Sequence, residues 1–441
     1  MNILFISLGC DKNLVDSEVM LGLINQKGYI ITNDENEADI IVVNTCCFIN
    51  DAKEESINTI LEMAELKKTA NLKALIVTGC LAQRYKKEIQ EEIKEVDAVV
   101  GTSSYENIVK VIEEALEGKV SESFEDIDVS PEVESKRVLT TGGYYSYLKI
   151  AEGCDKHCTY CIIPKIRGKF RSVPMERLLA EARSLAEQGV KELMLVAQET
   201  TLYGVDLYGE KSLHKLLKEL CKIDGIEWIR ILYCYPEEIT DDLIQVMKEE
   251  DKICNYLDMP IQHASDNILK RMGRRTNRQE LIDIVTKLRR EIPDISLRTT
   301  LITGFPGETK EDHEQLLEFV DQMEFDRLGV FTYSPEEDTP AASMAEQIEE
   351  EVKEERKDEI MSLQQEIAFE RAEKMVGRTL KVMIEGRLPE DNVYIGRTYM
   401  DAPNIDGYIF VNAEHEFMSG DFITVKVTGA KDYDLTAEIA E

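Results

Sequence analysis

Residues 145–161 read YSYLKIAEGCDKHCTYC. A short apolar run of strand-forming residues ends at Gly153, and the loop that follows carries Cys154, Cys158 and Cys161 in C-x3-C-x2-C spacing. Three thiolates on one loop suit three irons of a [4Fe–4S] cluster and leave the fourth iron open to a ligand. A zinc loop is the plainer alternative, but it normally needs a fourth protein ligand and commonly uses paired C-x2-C spacing. His157 is a candidate for that fourth place, yet a side chain inside the same tight loop is poorly set to supply it.

Five more runs of this kind follow, each separated from the next by helical periodicity: KELMLVAQE, WIRILYCYP, CNYLDMP, SLRTTLITG and RLGVFTYS. Six βα units between residues 140 and 344 are too few for a closed eight-fold barrel, which typically needs roughly 250 residues. The expectation is an open, partial (βα)6 barrel. Its working face lies at the carboxyl ends of the strands, where the three-cysteine loop falls. LITGFPGET reads as a tight strand-to-helix turn with Thr309 near the helix start.

Upstream, residues 1–119 alternate short apolar runs (Ile3–Leu8, Ile40–Val43, Leu75–Val77 and Ala98–Val100) with amphipathic helices. That pattern predicts an N-terminal α/β domain with a mostly parallel sheet. Cys10, Cys46 and Cys80 each lie just past the carboxyl end of such a run, the edge where ligands gather in these sheets. One buried cysteine at a strand end is usually a small core residue. Three at equivalent positions point to a shared ligand. Cys46 is preferred over Cys47, because NTC parallels LGC and TGC in the other two units. Cys221, Cys234 and Cys254 show no partner spacing and read as structural.

Residues 120–139 include the acidic VSESFEDIDVSPEVESK and read as a linker. A charged helix over 345–375 leads to residues 376–441. There LKVMIEG, VYIGRT, GYIFVN, DFITVKVT and LTAEIAE predict a small antiparallel β-barrel.

The whole chain has 441 residues, is 43% hydrophobic and carries 86 acidic against 52 basic residues, a net charge of −34. Such a surface repels phosphate backbone and attracts basic partners. No apolar stretch is long enough to cross a bilayer. MNILFISLGC lacks the basic start and long apolar core of a secretory signal, so it reads as a first strand. Ten cysteines without such a signal point to metal or catalysis in a reducing, cytoplasmic setting.

SLGCDKNLVDSEVM, VVNTC and VTGC, followed by CDKHCTYCIIP, resemble the methylthiotransferase family of radical S-adenosylmethionine enzymes. The likeness spans the chain, with a central radical S-adenosylmethionine barrel and a C-terminal domain similar to TRAM. GCDKNLVDSE, DMPIQHASDNILKRM and GRTYMDAPNIDG are most similar to the branch that modifies an aspartate of ribosomal protein S-twelve. The resemblance implies two [4Fe–4S] clusters, a radical-generating one on Cys154, Cys158 and Cys161 and an auxiliary one on Cys10, Cys46 and Cys80. It also implies two uses of S-adenosylmethionine. One molecule methylates a sulfur held at the auxiliary cluster, and another yields the radical that removes hydrogen from an unactivated carbon. A low-potential electron donor is then needed.

Candidate S-adenosylmethionine contacts are Tyr160, against adenine or as a water-excluding ring, and Gln198 and Glu199, at the end of the second barrel strand. Gln198 and Glu199 read equally as loop contacts. No catalytic residue is assigned beyond the cluster ligands, and His263 reads as structural. TRAM-like barrels often bind RNA, which calls for a basic face. From Val376 onward, however, there are six basic and twelve acidic residues. That balance favours a basic ribosomal protein as substrate, with Asp401 and Asp406 as candidate surface charges. A tRNA methylthiotransferase of the same family and a non-catalytic RNA-binding protein with structural zinc are the alternatives.

Overall fold

The computed structural model describes residues 1–131, 136–389 and 392–440. The N-terminal unit is a parallel sheet of six strands: β1 (Asn2–Ser7), β2 (Ile30–Ile31), β3 (Ile40–Thr45), β4 (Ala74–Gly79), β5 (Ala98–Val100) and β6 (Ser121–Ser123), in the order β2-β1-β3-β4-β5-β6. β3 and β4 are buried along their whole length, which is why they are almost continuously apolar. The two edge strands depart from the sequence reading. β2 has only two residues. β6 lies inside the stretch read as a linker, where polar SES carries no strand signal and is held by its ladder to β5.

Arg137, near the end of that stretch, straps the two units together. Arg137 is buried; it donates to Glu18 Oε2 (2.6 Å) in the N-terminal unit, and to the Tyr147 carbonyl (2.9 Å) and Glu181 Oε1 (2.6 Å) in the central one.

In the central unit, β7 (Tyr145–Lys149) is followed by a short antiparallel pair, β8 (Ala151–Glu152) and β9 (Arg171–Ser172). Then come β10 (Glu192–Val196), β11 (Trp228–Ile231), β12 (Ile253–Asp258), β13 (Ser296–Thr303) and β14 (Arg327–Thr332). β7 and β10–β14 pair in parallel in the order β14-β13-β12-β11-β10-β7. β7 and β14 remain the two edges, so this is the expected open partial barrel. The helix Glu350–Glu373 packs against β14, with Gln364 donating to the Phe325 carbonyl (2.8 Å) and Lys353 to that of Tyr333 (2.9 Å). An uncovered strand edge invites pairing with other chains, and this helix covers it. Thr309 caps the helix Lys310–Met323, accepting from the Asp312 N–H at 3.1 Å.

The C-terminal unit is a closed barrel of β15 (Thr379–Arg387), β16 (Val393–Thr398), β17 (Ile409–Asn412), β18 (Phe422–Lys431) and β19 (Asp434–Ile439), in the order β15-β16-β17-β19-β18. It is antiparallel except at one seam, where β17 and β19 run parallel. The reason is arithmetic, since strict up-down alternation cannot close around an odd number of strands.

This barrel stoppers the amino-terminal end of the central sheet. Glu192, the first residue of β10, accepts from Arg230 (2.8 Å) and Arg397 (2.7 Å), and all three are fully buried. Arg230 also donates to the Tyr399 carbonyl at 2.6 Å. The expectation that Asp401 and Asp406 are surface charges is overturned. Asp401 is 3% exposed and paired with Arg327, and Asp406 accepts from Arg298 (2.7 Å) and the Tyr256 hydroxyl (2.9 Å). Both carboxylates are spent inside the fold because the central strands present cations to them.

Replacing Glu192 by Gln leaves Arg230 without a carboxylate partner in a buried site. Breaking a buried pair on one side costs about 3–5 kcal/mol. Trp228, the single tryptophan, lies 4.8 Å edge-to-face from Phe422 across this junction and reports on it. Urea unfolding followed by its fluorescence should show a loss of that size in Glu192→Gln, and a loss below about 1 kcal/mol would contradict this account.

Candidate functional site

β1, β3 and β4 are neighbours in the first sheet, so the residues beyond their carboxyl ends converge. Cys10 precedes the helix Asp11–Gln26, Cys46 follows Thr45, and Cys80 opens the helix Cys80–Arg84. Gly79 has φ +92°, and a Cβ there would lie 2.3 Å from Asn44 Oδ1. Gly9 has φ +89°, and a Cβ there would lie 2.6 Å from Cys46 Cβ. Glycine thus lets the step carrying Cys10 lie directly on Cys46. Asn13 sits among the three cysteines. Its amide donates to the carbonyls of Leu8 (3.1 Å) and Thr45 (2.9 Å), and its Oδ1 lies 3.9 Å from the Cys80 sulfur. Ser56 clamps the Cys46 backbone, accepting from its N–H (3.0 Å) and donating to its carbonyl (2.8 Å). Cys10 is exposed, while Cys46 and Cys80 are buried. Cys47 is packed in the core near Arg84, and burial pushes its thiol up to about 12.

The second triplet sits at the carboxyl end of the central sheet. The Cys154 N–H donates to the Gly168 carbonyl (3.1 Å) and the Cys161 N–H to that of Cys158 (3.0 Å). Thr159 is held by the segment after the helix Asp266–Arg271, with N–H to the Met272 carbonyl (2.9 Å) and Oγ1 to that of Arg271 (2.8 Å). A cleft of about 630 Å³ opens on Cys158 and Cys161, walled by His157, Lys165, Asp338 and Thr339. Tyr235 places its hydroxyl 4.0 Å from the Cys158 sulfur, and Arg274 lies 4.3 Å above the Tyr235 ring. Two guanidinium nitrogens of Arg274, Nε and Nη1, are buried with no hydrogen-bond partner.

Arg167, on the short helix after the second triplet, reaches into the N-terminal unit, where it pairs with Asn13 Oδ1 and Asp16 (2.7 Å). It also pairs with Glu152 at 3.2 Å, and Lys149 joins Asp16 to Glu152.

Gln198 and Glu199 are held within this scaffold. Gln198 donates to Glu152 at 2.6 Å. Glu199 is fully buried, accepts from the Thr201 N–H (2.9 Å) and hydroxyl, and lies 3.9 Å from Lys156; burial pushes its carboxyl up to about 7. Tyr160 packs edge-on to Phe305 at 6.5 Å between centroids, with its hydroxyl near the Cys158 thiol. Arg167, Arg274 and Tyr235 were missed in sequence. The basic pairs in KIRGK and MGRRT are ordinary surface patterns, and nothing in them signals burial beside a thiol. Among the described residues, no three His, Cys, Asp or Glu side chains converge tightly enough for a single metal ion. A multi-iron cluster binds each thiolate through a different iron, so its ligands stand farther apart.

Three family models match the chain in order: Uncharacterized protein family UPF0004 at residues 2–101, Radical SAM superfamily at 148–320 and TRAM domain at 376–440. A protein of Lachnoclostridium phytofermentans named ribosomal protein uS12 methylthiotransferase RimO is 72% identical over 99% of this chain and 100% of its own length. A protein of Clostridioides difficile with the same name is 53% identical over 98% of this chain and 97% of its own. The chain belongs to the RimO family of radical S-adenosylmethionine methylthiotransferases. Iron–sulfur and S-adenosylmethionine chemistry come with that superfamily. A solved structure of the radical S-adenosylmethionine methyltransferase TsrM from Kitasatospora setae, with tryptophan and an S-adenosylmethionine analogue, superposes with a TM-score of 0.55. At 13% identity it covers 92% of this chain and 80% of its own, and it shares the fold.

In this RimO-family chain, His263 is fully buried, and its Nε2 has no hydrogen-bond partner among the described residues. Its Nδ1 accepts from the Ser265 N–H at 2.9 Å, and burial drives its conjugate acid down to about 3. Between pH 6.5 and 3 the unfolded chain takes up a proton here that the native chain refuses. Stability therefore falls with falling pH through that window, by about 1.4 kcal/mol per unit from this group. His263→Asn should flatten the dependence of the urea midpoint on pH between 6.5 and 4.5, and an unchanged slope would contradict this.

Proposed function

We propose that the chain adds a methylthio group to the β-carbon of an aspartate in ribosomal protein uS12. The observation that carries the proposal is that Arg167, just after one cysteine triplet, pairs with Asn13 and Asp16 beside the other, in a chain 72% identical to a protein named for this activity. The donor sets suit two [4Fe–4S] clusters. Cys154, Cys158 and Cys161 would hold the radical-generating one, and Cys10, Cys46 and Cys80 the auxiliary one. When bound, these groups and S-adenosylmethionine supply the methylated sulfur and the radical that opens an unactivated C–H bond, chemistry outside the reach of acid–base side chains.

The residues of the chain position and enclose. Asn13 and Ser56 fix the first triplet, and the Met272 and Arg271 carbonyls fix the second loop. Tyr160 with Phe305 shields the Cys158 side from water. Tyr160, Gln198 and Glu199 remain the proposed S-adenosylmethionine neighbours, with Gln198 Oε1 and Glu199 Oε2 both buried and without a hydrogen-bond partner among the described residues. A low-potential donor supplies the electrons, and the setting is cytoplasmic. No described helix is long and apolar enough to cross a membrane.

Charge supports a protein substrate. With Asp401, Asp406 and Arg397 internal, ten acidic residues from Val376 onward oppose five basic ones. Complementary charge speeds encounter with a basic ribosomal protein, and salt should weaken that attraction, since screening sets in beyond about 8 Å at physiological ionic strength.

Anaerobically reconstituted Cys154→Ala/Cys158→Ala/Cys161→Ala should lose about half its iron and all reductive cleavage of S-adenosylmethionine. Full iron retention in that variant would refute the assignment. Cys46→Ala should lose the auxiliary iron while Cys47→Ala keeps it, as iron titration and Mössbauer spectra would show. Offered both a peptide of the uS12 loop and bulk tRNA, with S-adenosylmethionine and a reductant, the enzyme should modify the peptide. Transfer to tRNA alone would replace this reading with a tRNA methylthiotransferase.

A further inference from the structure

Lys12 is two residues beyond Cys10 and is 6% exposed. A buried ammonium is costly unless something nearby uses it. Its nitrogen lies 2.8 Å from Asp11 Oδ1 and 3.3 Å from the centroid of the Tyr233 ring. Asp11 Oδ1 is already crowded, since it also accepts from the Lys12 N–H (3.0 Å) and the Tyr233 hydroxyl (3.3 Å). An ammonium has three N–H donors. One is directed at Asp11 and one at the Tyr233 ring, whose hydroxyl is a weak further partner, and among the described residues no second carboxylate or carbonyl accepts from the third.

Tyr233 itself is unusual. It has φ +60°, a conformation that bulky residues adopt only where their surroundings impose it. It stands past the carboxyl end of β11, with Lys12 on its ring and its N–H donating to Asp258 Oδ2 at 3.2 Å. Asp258 is 7% exposed, and its Oδ1 has no hydrogen-bond partner. Burial pushes this carboxyl upward, which favours the form that donates a hydrogen bond. Arg298 lies 3.6 Å from the same Oδ1 and is itself balanced by Asp406. Tyr233 is thus flanked by an ammonium with a spare donor and a carboxyl with a spare oxygen. Lys12 is two residues from Cys10, the exposed member of its triplet.

We propose that Lys12 is a specificity residue that binds the side-chain carboxylate of the substrate, above the Tyr233 ring and beside Cys10, with Asp258 as the second contact. The proposal rests on the aspartate reading above and deepens it. It explains how an acidic side chain enters a strongly acidic protein, since a buried ammonium two residues from Cys10 is set to receive it. A carboxylate there gains a charge-assisted bond that an amide does not, which is worth roughly ten- to hundred-fold in affinity.

The test measures binding apart from turnover. Fluorescence anisotropy gives Kd for a labelled uS12-loop peptide and for the same peptide with Asn in place of the target Asp. The protein is the full-length reconstituted enzyme, as wild type, Lys12→Gln and Lys12→Arg. Wild type should prefer the Asp peptide by roughly ten-fold or more. Lys12→Gln should weaken the Asp peptide and erase the preference, and Lys12→Arg, which keeps the charge, should retain most of it. A wild type that binds both peptides equally overturns the proposal whatever the variants do, as does an undiminished preference in Lys12→Gln. A wild type that binds and modifies neither peptide removes the substrate reading, and this proposal with it.

Discussion

One guanidinium holds the two halves of the mouth in register. Arg167 leaves the central unit directly after the second cysteine triplet and ends against Asn13 and Asp16 of the first. Asn13 in turn spans Leu8, Thr45 and the Cys80 sulfur. A displacement of Arg167 is therefore felt at both triplets. A charge buried so deeply persists because Asp16 and Glu152 answer it, and such ionic sets tend to specify one arrangement more than they add stability. In this chain the arrangement specified is the relation between two domains that also pack through the helix Asp11–Gln26 against β7 and the helix Cys80–Arg84 against Ile163–Arg167.

Much of this was legible in the sequence. β3, β4 and β5 of the first sheet and β10 and β11 of the central one are buried on both faces, and burial writes itself into composition. The six cysteines were legible from spacing in one case and from topological equivalence in the other. The edge strands β2 and β6 were not, since two residues or a polar SES leave no periodic trace. Polar partners were hardest to see. Arg167 and Arg274 look like surface basics until the fold wraps around them. Asp401 and Asp406 looked like surface acids, and only the arginines of β13 and β14, a hundred residues away by sequence for Asp406, show otherwise.

Charge does two separate jobs. Inside, acids and bases answer one another at the junctions: Glu192 with Arg230 and Arg397, Asp406 with Arg298, Glu18 with Arg137. Outside, the excess is almost wholly acidic, as the net −34 requires. Net charge alone does not separate these roles. A count over the C-terminal barrel mixes carboxylates that fasten the molecule together with those that face a partner, and only the second group steers encounters.

The stopper at the floor of the central sheet also sets the order in which the molecule can be completed. Translation proceeds from the amino terminus, and domains generally fold as they emerge. Glu192 leaves the ribosome well before Arg397, its partner 205 residues downstream. Throughout that interval the floor of the central sheet holds Glu192, Arg230, Arg298 and Arg327 without the loop that neutralises or caps them. The nascent central domain thus spends much of its synthesis as an unfinished vessel, its mouth formed first and its base sealed only after the last barrel has begun to fold.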